Sequence, residues 1–186
     1  LYLGGYYGDG YNYFEKLFKS TDSGDSWQDV TGSIPTIPQS IIIDPNNPDK
    51  VYVGTLWGVY RSSNGGQTWT GNAGRVYAYA LGMAPSDSNT IYAGYDKRCY
   101  KSTDGGVNWA IHTAGLCGIC QDILAYSGRV YYGSYAGLYK SQDGGATWKA
   151  SHAGIKNNVI TAIAVARSSP NVIYAEGSQN GLFKST

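Results

Sequence analysis

The chain has 186 residues, including 26 Gly, 18 Tyr, 5 Trp and 1 Met, and its 14 basic and 13 acidic residues leave a net charge of +1. A hydrophobic fraction of 42% with 15% charged residues excludes a disordered chain. The near-zero charge argues against a nucleic-acid partner, because phosphate binding needs a basic face. The sequence has no apolar run of about 18 residues, so no membrane span is predicted.

An eight-residue pattern, S-x-D/N-x-G-x-x-W, organises the chain. We call each copy a box; full boxes occupy residues 20–27, 62–69, 102–109 and 141–148, and a fifth copy starts at Ser185. A period of about 40 residues fits four short strands with their turns. No 3.6-residue apolar period is sustained, so helices should be nearly absent. The repeat therefore predicts an all-β protein.

The predicted elements follow the repeat in chain order. Residues 1–32 carry the strands LYLGG and KLFKS and a strand led by Trp27. Residues 33–74, 75–114 and 115–153 carry four strands each, and residues 154–186 carry three, ending in GLFKS. With strands labelled A to D, the first piece starts at B and the last ends at C. We therefore expect eighteen strands and one segment, 1–186, of a longer protein with six or more repeats.

The residue types of the box suit a tight hairpin between strands C and D. An Asp or Asn side chain accepts hydrogen bonds from the amides of its turn, and the Gly supplies a positive φ. We expect the Trp to be buried against the next repeat. These structural positions are Asp22, Gly24, Trp27, Asn64, Gly66, Trp69, Asp104, Gly106, Trp109, Asp143, Gly145 and Trp148.

The four boxes in one register resemble Asp-box, or BNR, repeats. Proteins with these repeats include sialidases, sortilin-type receptors, photosystem assembly factors and xyloglucan-degrading glycoside hydrolases. The resemblance implies a β-propeller of four-stranded antiparallel blades, with three full and two partial blades in this chain. It also implies that the boxes are structural and lie on the face opposite the ligand site.

The cysteines and histidines give no metal motif. Cys117 and Cys120 form a lone C-G-I-C, which favours buried or locally paired thiols; alternatively, Cys99 bridges to one of them in an oxidising compartment. His112 and His152 follow their box Trp at similar distances, which repeat symmetry explains. We predict neither a metal nor a cofactor.

Ligand candidates lie in the crossings from strand D to the next strand A, such as residues 113–120, and in the turns between strands B and C. Both sets of segments share the face opposite the boxes. The first of these turns, residues 6–15, is a long aromatic insertion. Its rings either stack on sugars or pack on a neighbouring blade or domain, and the same alternatives apply to Trp57. The predicted ligand-binding residues are Tyr6, Tyr7, Tyr11, Tyr13, Trp57, Tyr95 and Tyr135.

Asp96 is the candidate catalytic acid, because IYAGYD resembles the start of a motif that carries a catalytic Asp in the xyloglucan-degrading propellers. The two glycines of that motif are replaced by Lys97 and Arg98, and the adjacent cation favours an ionised Asp. Asp9 and Glu176, which we expect in comparable loops, are candidates for the second carboxylate if the ring geometry brings them close; in the alternative, that carboxylate lies outside this sequence. The alternative is that Asp96 is a turn residue. The sialidase F-R-I-P motif is missing.

Three functions follow from these expectations. The first is an extracellular or periplasmic scaffold that binds glycan or protein partners without a cofactor. The second is a fragment of a polysaccharide-degrading, xyloglucanase-like glycoside hydrolase. The third is a structural module of a surface or filament assembly. The sequence starts at Leu1 without a leader, so any secretion signal has been removed or lies outside it.

Overall fold

A computed structural model of the chain describes residues 1–8, 13–71, 76–126, 128–155, 159–166, 168–169, 171–178 and 181–185. In these ranges the chain forms eighteen β-strands and no helix, and thus no helix that could cross a membrane. The strands form five antiparallel sheets of three or four strands, in agreement with the all-β prediction. By their contacts they divide into two compact units, Leu1–Ala78 and Tyr79–Thr186.

The first unit contains two sheets, each ordered as in the sequence. The strands of the first sheet are β1 (Tyr2–Gly8), β2 (Tyr13–Lys19) and β3 (Gln28–Asp29). Those of the second are β4 (Ser40–Asp44), β5 (Asn47–Thr55), β6 (Gly58–Ser62) and β7 (Thr70–Gly71).

The second unit contains three sheets, in which the first strands β8, β12 and β16 contact one another in order. The third sheet has β8 (Ala80–Ala84), β9 (Asp87–Tyr95), β10 (Arg98–Ser102) and β11 (Ala110–His112). The fourth has β12 (Cys120–Tyr126), β13 (Arg129–Ser134), β14 (Gly137–Ser141) and β15 (Lys149–Ala150). The fifth has β16 (Ile160–Val165), β17 (Ile173–Gly177) and β18 (Gly181–Lys184).

The aromatic insertion is not wholly a loop, so that prediction is wrong in part. β1 and β2 extend into it, and Tyr6 pairs with Glu15 while Gly8 pairs with Tyr13. Tyr residues favour strands, and an antiparallel pair of strands extends for as long as both strands can continue their backbone hydrogen bonds. Tyr11 and Asp9 lie outside the described residues.

Box tryptophans hold neighbouring sheets together, but in the opposite direction to the prediction. The buried Trp69 of the second sheet packs on the preceding sheet, in a cluster with Leu17, Val30 and Ile34. Trp148 likewise lies in one buried cluster with Tyr92 and Cys99 of the third sheet. Burial of an aromatic side chain of this size contributes about 2–3 kcal/mol to the stability of the folded state. Trp27 of the first sheet is 41% exposed.

A polar contact joins the first strands of the fourth and fifth sheets. Asp122 Oδ2 accepts a 2.6 Å hydrogen bond from the amide of Ile163, and its Oδ1 accepts one from the amide of Ile123 at 2.8 Å. Burial raises the pKa of Asp122, although these two hydrogen bonds lower it. The carboxyl group thus joins the two sheets next to an irregular point of β12, which has a bulge between Cys120 and Asp122.

Candidate functional site

Each four-stranded sheet has two different ends. The third strand begins at a tight turn from the second strand and ends at the box. Because the strands are antiparallel, the turn between the second and third strands and the box lie at opposite ends of the sheet. The candidate ligand residues are therefore at the end away from the boxes.

The boxes form closed networks of hydrogen bonds. In the third box, Ser102 Oγ donates to Asp104 Oδ1 at 2.8 Å and accepts from the amide of Gly106 at 2.8 Å. The amide of Asn108 donates to the same carboxylate oxygen at 2.9 Å. In the second box, Asn64 makes the equivalent contacts through its Oδ1. The glycine at the fifth position of each box has φ between +82° and +105°; these residues are Gly24, Gly66, Gly106 and Gly145.

These hydrogen bonds hold the box carboxylates ionised. The amide and side chain of Asn108 lower the pKa of Asp104 to about 2. Hydroxyl donors from Ser26 and Thr147, with the amides of the same residues, lower the pKa of Asp22 and of Asp143. A carboxylate that accepts several turn hydrogen bonds is a poor proton donor near neutral pH. The box carboxylates therefore close their own turns by accepting hydrogen bonds within the box.

A hydroxyl group shapes two of the turns at the opposite end. Thr55 Oγ1 donates to the carbonyl of Gly58 at 2.9 Å and accepts from the amide of Trp57 at 3.0 Å. Ser134 Oγ makes the same pair of contacts, with the carbonyl of Gly137 at 3.1 Å and the amide of Ala136 at 3.1 Å. Trp57 is 60% exposed, and Tyr135, in the turn after Ser134, is 53% exposed.

The loop that precedes β12 supports the turn at Tyr135. The carbonyl of Ile119 accepts from the amide of Tyr135 at 3.2 Å. The single hydroxyl hydrogen of Ser134 is shared between the carbonyl of Gly137 and the carbonyl of Cys117, which lies 2.8 Å from Ser134 Oγ. Gly118 has φ +76°, and a Cβ there would lie 2.6 Å from the amide nitrogen of Ala136. Only glycine fits this approach, so the loop holds the partly exposed Ile119 beside Tyr135.

The turn at Asp96 is anchored through its main chain. Asp96 has φ +49°, and its carbonyl accepts hydrogen bonds from the Tyr132 hydroxyl and, at 3.2 Å, from the amide of Cys120. Tyr95 stacks on Tyr79, with ring centroids 5.2 Å apart and planes 19° apart. The contacts of Asp96 are those of a turn residue.

We call Tyr79, Tyr95, Ile119 and Tyr135 of the second unit the rim. Sequence reasoning identified Tyr95, Tyr135 and the segment 113–120 that contains Ile119, but missed Tyr79. Tyr79 and Ile119 lie just before the first strand of their sheets. The amide of Tyr79 donates to the carbonyl of Gly94 at 2.8 Å, so its place next to Tyr95 follows from strand pairing. The ladder register between β8 and β9 was the signal that could have revealed it.

Other candidates are not brought into this site. Glu176 lies within β17, paired with Leu182, and not in the predicted loop, because β17 continues to Gly177. Tyr6, Tyr7 and Tyr13 have their backbones in β1 and β2. All three cysteines are free thiols: Cys99 and Cys120 are buried, and Cys117 is exposed. Burial raises the pKa of Cys99 to about 12 and raises that of Cys120 as well.

The chain is a β-propeller in fold. It resembles an ancestral GH74 enzyme (TM-score 0.74, 23% identity, 86% of this chain and 24% of that one). It resembles the GH74 xyloglucanase from Xanthomonas campestris (TM-score 0.62, 18% identity, 80% and 29%). It also resembles YCF48 bound to D1 peptide (TM-score 0.66, 18% identity, 92% and 57%).

The similarity between this chain and these structures is a similarity of fold alone. The chain spans about a quarter of the length of the GH74 structures and just over half of that of YCF48. No protein-family model matches the chain, and no curated protein matches it significantly. The sheets are the blades of this propeller fold.

Proposed function

We propose that this protein is a propeller scaffold that binds a glycan or protein partner through the end of its blades opposite the boxes. The rim carries the proposal: it presents the exposed Tyr135 and the stacked Tyr79 and Tyr95 on turns that are held by hydrogen bonds. Pre-ordered aromatic side chains bind at a low entropic cost, and the tyrosine hydroxyls add specificity. Trp57 adds an exposed aromatic side chain at the same end of its own blade.

We propose in addition that the boxes are Asp-box repeats. The Ser–Asp–Gly hydrogen bonds within each turn support that identification, because they use both the side-chain acceptor and the positive-φ glycine that the pattern specifies. The boxes then act as structural hairpins, and the ligand binds at the opposite end of the blades. An extracellular or periplasmic location is part of the proposal and is tested by fractionation of the producing cells.

The similar structures support both kinds of ligand. YCF48 was solved with a D1 peptide, which supports a protein partner, and the GH74 structures include a xyloglucanase, which supports a β-glucan. Titration of the protein with xyloglucan oligosaccharides and selection from a displayed peptide library test the two classes separately.

The decisive variant is Tyr135→Ala, matched with Val107→Ala, because Val107 is equally exposed but lies in a box. We expect Tyr135→Ala to weaken ligand binding at least about fivefold and Val107→Ala to leave it unchanged. Equal effects of the two substitutions, or no binding in either assay, would reject the rim as the site.

A second candidate function is glycoside hydrolysis, as part of a longer enzyme. The fold likeness to GH74 structures and the position of Asp96 directly after the second strand of its blade favour it. Incubation with xyloglucan should then release oligosaccharides, and Asp96→Asn should abolish the release. A protein that binds the polymer without cleaving it would leave the scaffold function standing.

A further inference from the structure

The second box differs from the other three because it carries Asn64, followed directly by Gly65, in place of an aspartate. This box lies within the first unit, and the proposed function does not use it as a binding site. Glycine has no side chain to hinder its nitrogen, so an asparagine before glycine is the pair most open to attack of that nitrogen on the side-chain amide. Gly65 is buried and Asn64 is half-buried, so their neighbours control this reaction.

Charged side chains from β2 and β5 surround Gly65. A Cβ on Gly65 would lie 3.1 Å from Asp49 Oδ1 and 2.6 Å from Lys19 Nζ. The amide of Gly65 donates to the backbone carbonyl of Asp49 at 2.9 Å, and the carbonyl of Gly65 accepts from Lys19 Nζ at 2.9 Å. The Asp49 carboxylate is therefore beside the nitrogen that would attack Asn64, where a general base is needed.

The third blade has the same backbone contact without the reactive groups. The amide of Gly105 in its box donates to the carbonyl of Asn89 at 3.0 Å. Asn89 carries an amide where Asp49 carries a carboxylate, and the residue before Gly105 is Asp104. Among the four full boxes, the second alone combines a side-chain amide, a following glycine and a carboxylate beside that glycine.

The fourth box shows what an aspartate at position 64 would contact. Asp143 accepts from the box serine hydroxyl at 2.7 Å, from the amide of Thr147 at 2.9 Å and from Thr147 Oγ1 at 2.5 Å. Asn64 has the equivalent partners, Ser62 Oγ at 2.9 Å, the amide of Thr68 at 3.0 Å and Thr68 Oγ1 at 2.9 Å. In the last contact Asn64 donates, whereas a carboxylate would accept. A hydroxyl group can do either, so an aspartate fits this box.

The isomeric product, an isoaspartyl residue, does not fit this box. Ser62 Oγ donates to Asn64 Oδ1 and accepts from the amides of Asn64 at 3.2 Å and of Gly66 at 2.8 Å. An isoaspartyl link lengthens the main chain by one carbon between these two amides. The turn that brings both amides and the side chain onto one serine oxygen is then lost. The folded box therefore discriminates between the two products of the reaction.

We propose that Asn64 and Gly65 form a self-modification site, which converts the asparagine to aspartate with the Asp49 carboxylate as general base and water as the only reagent. The Gly65 nitrogen bonds to Cγ of Asn64, and its proton passes through Asp49 to the side-chain nitrogen. The bond from Cγ to that nitrogen breaks, ammonia leaves, and a succinimide ring remains. Water then opens the ring at Cγ: its hydroxyl stays there as part of a carboxyl group, and its other hydrogen returns to the Gly65 nitrogen.

The test incubates the folded 186-residue protein in neutral buffer made with water that carries a heavy oxygen isotope. Mass spectrometry of the tryptic peptide 62–75 should show heavy oxygen incorporated at position 64. Asp49→Asn should slow incorporation at least about threefold through loss of the base, and Asp49→Glu should restore most of the rate. Asp25→Asn, which removes an exposed carboxylate of the first box, is the matched control and should leave the rate unchanged. No incorporation, or equal rates in the Asp49→Asn and Asp25→Asn proteins, would overturn the proposal.

A synthetic peptide with the sequence of residues 62–75, SSNGGQTWTGNAGR, is the unfolded reference for the product. Water opens a free succinimide mainly to the isoaspartyl form, so that form should dominate in the peptide. In the protein the ordinary aspartyl form should dominate, because it alone restores the contacts of the box. Electron-transfer fragmentation distinguishes the two forms. An isoaspartyl majority in the protein would reject the fit of the product. The other Asn-Gly pair of the sequence, residues 180–181, lies in a different tryptic peptide and is read separately.

Discussion

The indole Nε1 of Trp69 donates a 2.8 Å hydrogen bond to the backbone carbonyl of Val30, which lies 39 residues earlier in the preceding blade. The same indole is buried in the apolar cluster between the two blades. One side chain therefore supplies both the packing and a directional contact between consecutive repeats. Trp148 supplies the packing alone: its Nε1 is buried without a hydrogen-bond partner among the described residues.

Replacement of each tryptophan by phenylalanine separates these two contributions. Trp69→Phe should lower the free energy of unfolding by about 1 kcal/mol more than Trp148→Phe, because it leaves the Val30 carbonyl without its donor. Trp27→Phe, at an exposed position, should have the smallest effect. Urea denaturation followed by circular dichroism measures all three. A larger loss in Trp148→Phe than in Trp69→Phe would contradict the role given to the hydrogen bond.

The box carboxylates should be replaceable by amides but not by alanine. Asn64 shows that an amide oxygen accepts the same hydrogen bonds, from Ser62 Oγ at 2.9 Å and from the amide of Thr68 at 3.0 Å. We therefore expect Asp143→Asn to keep a urea midpoint close to that of the wild type and Asp143→Ala to lower it, because the turn amides then lose their acceptor. The reverse order of midpoints would show that charge, and not turn closure, matters at this position.

The same carboxylates should make the protein sensitive to acid. Their pKa values are lowered in the folded state, to about 2 for Asp104 against an ordinary value of 3.8. A lowered pKa contributes stability that is present above the unfolded value and is lost as pH falls through the folded one. Urea midpoints should therefore fall between about pH 4 and pH 2. A variant with asparagine at positions 22, 104 and 143 should show a flatter profile, and an unchanged profile would reject this origin.

Much of the fold could be predicted from the sequence because the box is a local structure. Ser102, Asp104 and Gly106 close their turn with contacts no more than four residues apart, so the pattern that makes the turn is visible in the chain. The strands before each box repeat with it, and the predicted number of strands is the number that the structure describes.

The direction of packing and the rim could not be predicted in the same way. The contact of Trp69 with Val30 depends on which neighbouring sheet the indole meets, and nothing within one repeat specifies that choice. The stacking of Tyr79 on Tyr95 depends on the register between β8 and β9.

The backbone of Asp96 gives a test of its role as a turn residue. Its φ of +49° is a conformation that glycine adopts freely and that costs a β-branched residue about 1–2 kcal/mol. Asp96→Gly should thus leave the free energy of unfolding unchanged or raise it, whereas Asp96→Val should lower it by about 1–2 kcal/mol. Both variants lack the carboxylate, so equal loss of a hydrolytic activity in the two would assign that activity to the side chain. Strong destabilisation by glycine would reject the turn role.

The three thiols should differ sharply in reactivity in the native protein. Cys117 is exposed, whereas burial excludes reagents from Cys99 and Cys120 and raises both their pKa values, which suppresses the reactive thiolate. Brief treatment with N-ethylmaleimide at neutral pH, followed by peptide mass spectrometry, should label Cys117 alone. The same treatment in concentrated urea should label all three and serves as the control. Labelling of Cys120 as fast as Cys117 would show that the buried cluster of Cys120 and Trp148 opens readily. A need for prior reduction before labelling in urea would show a disulfide in place of free thiols.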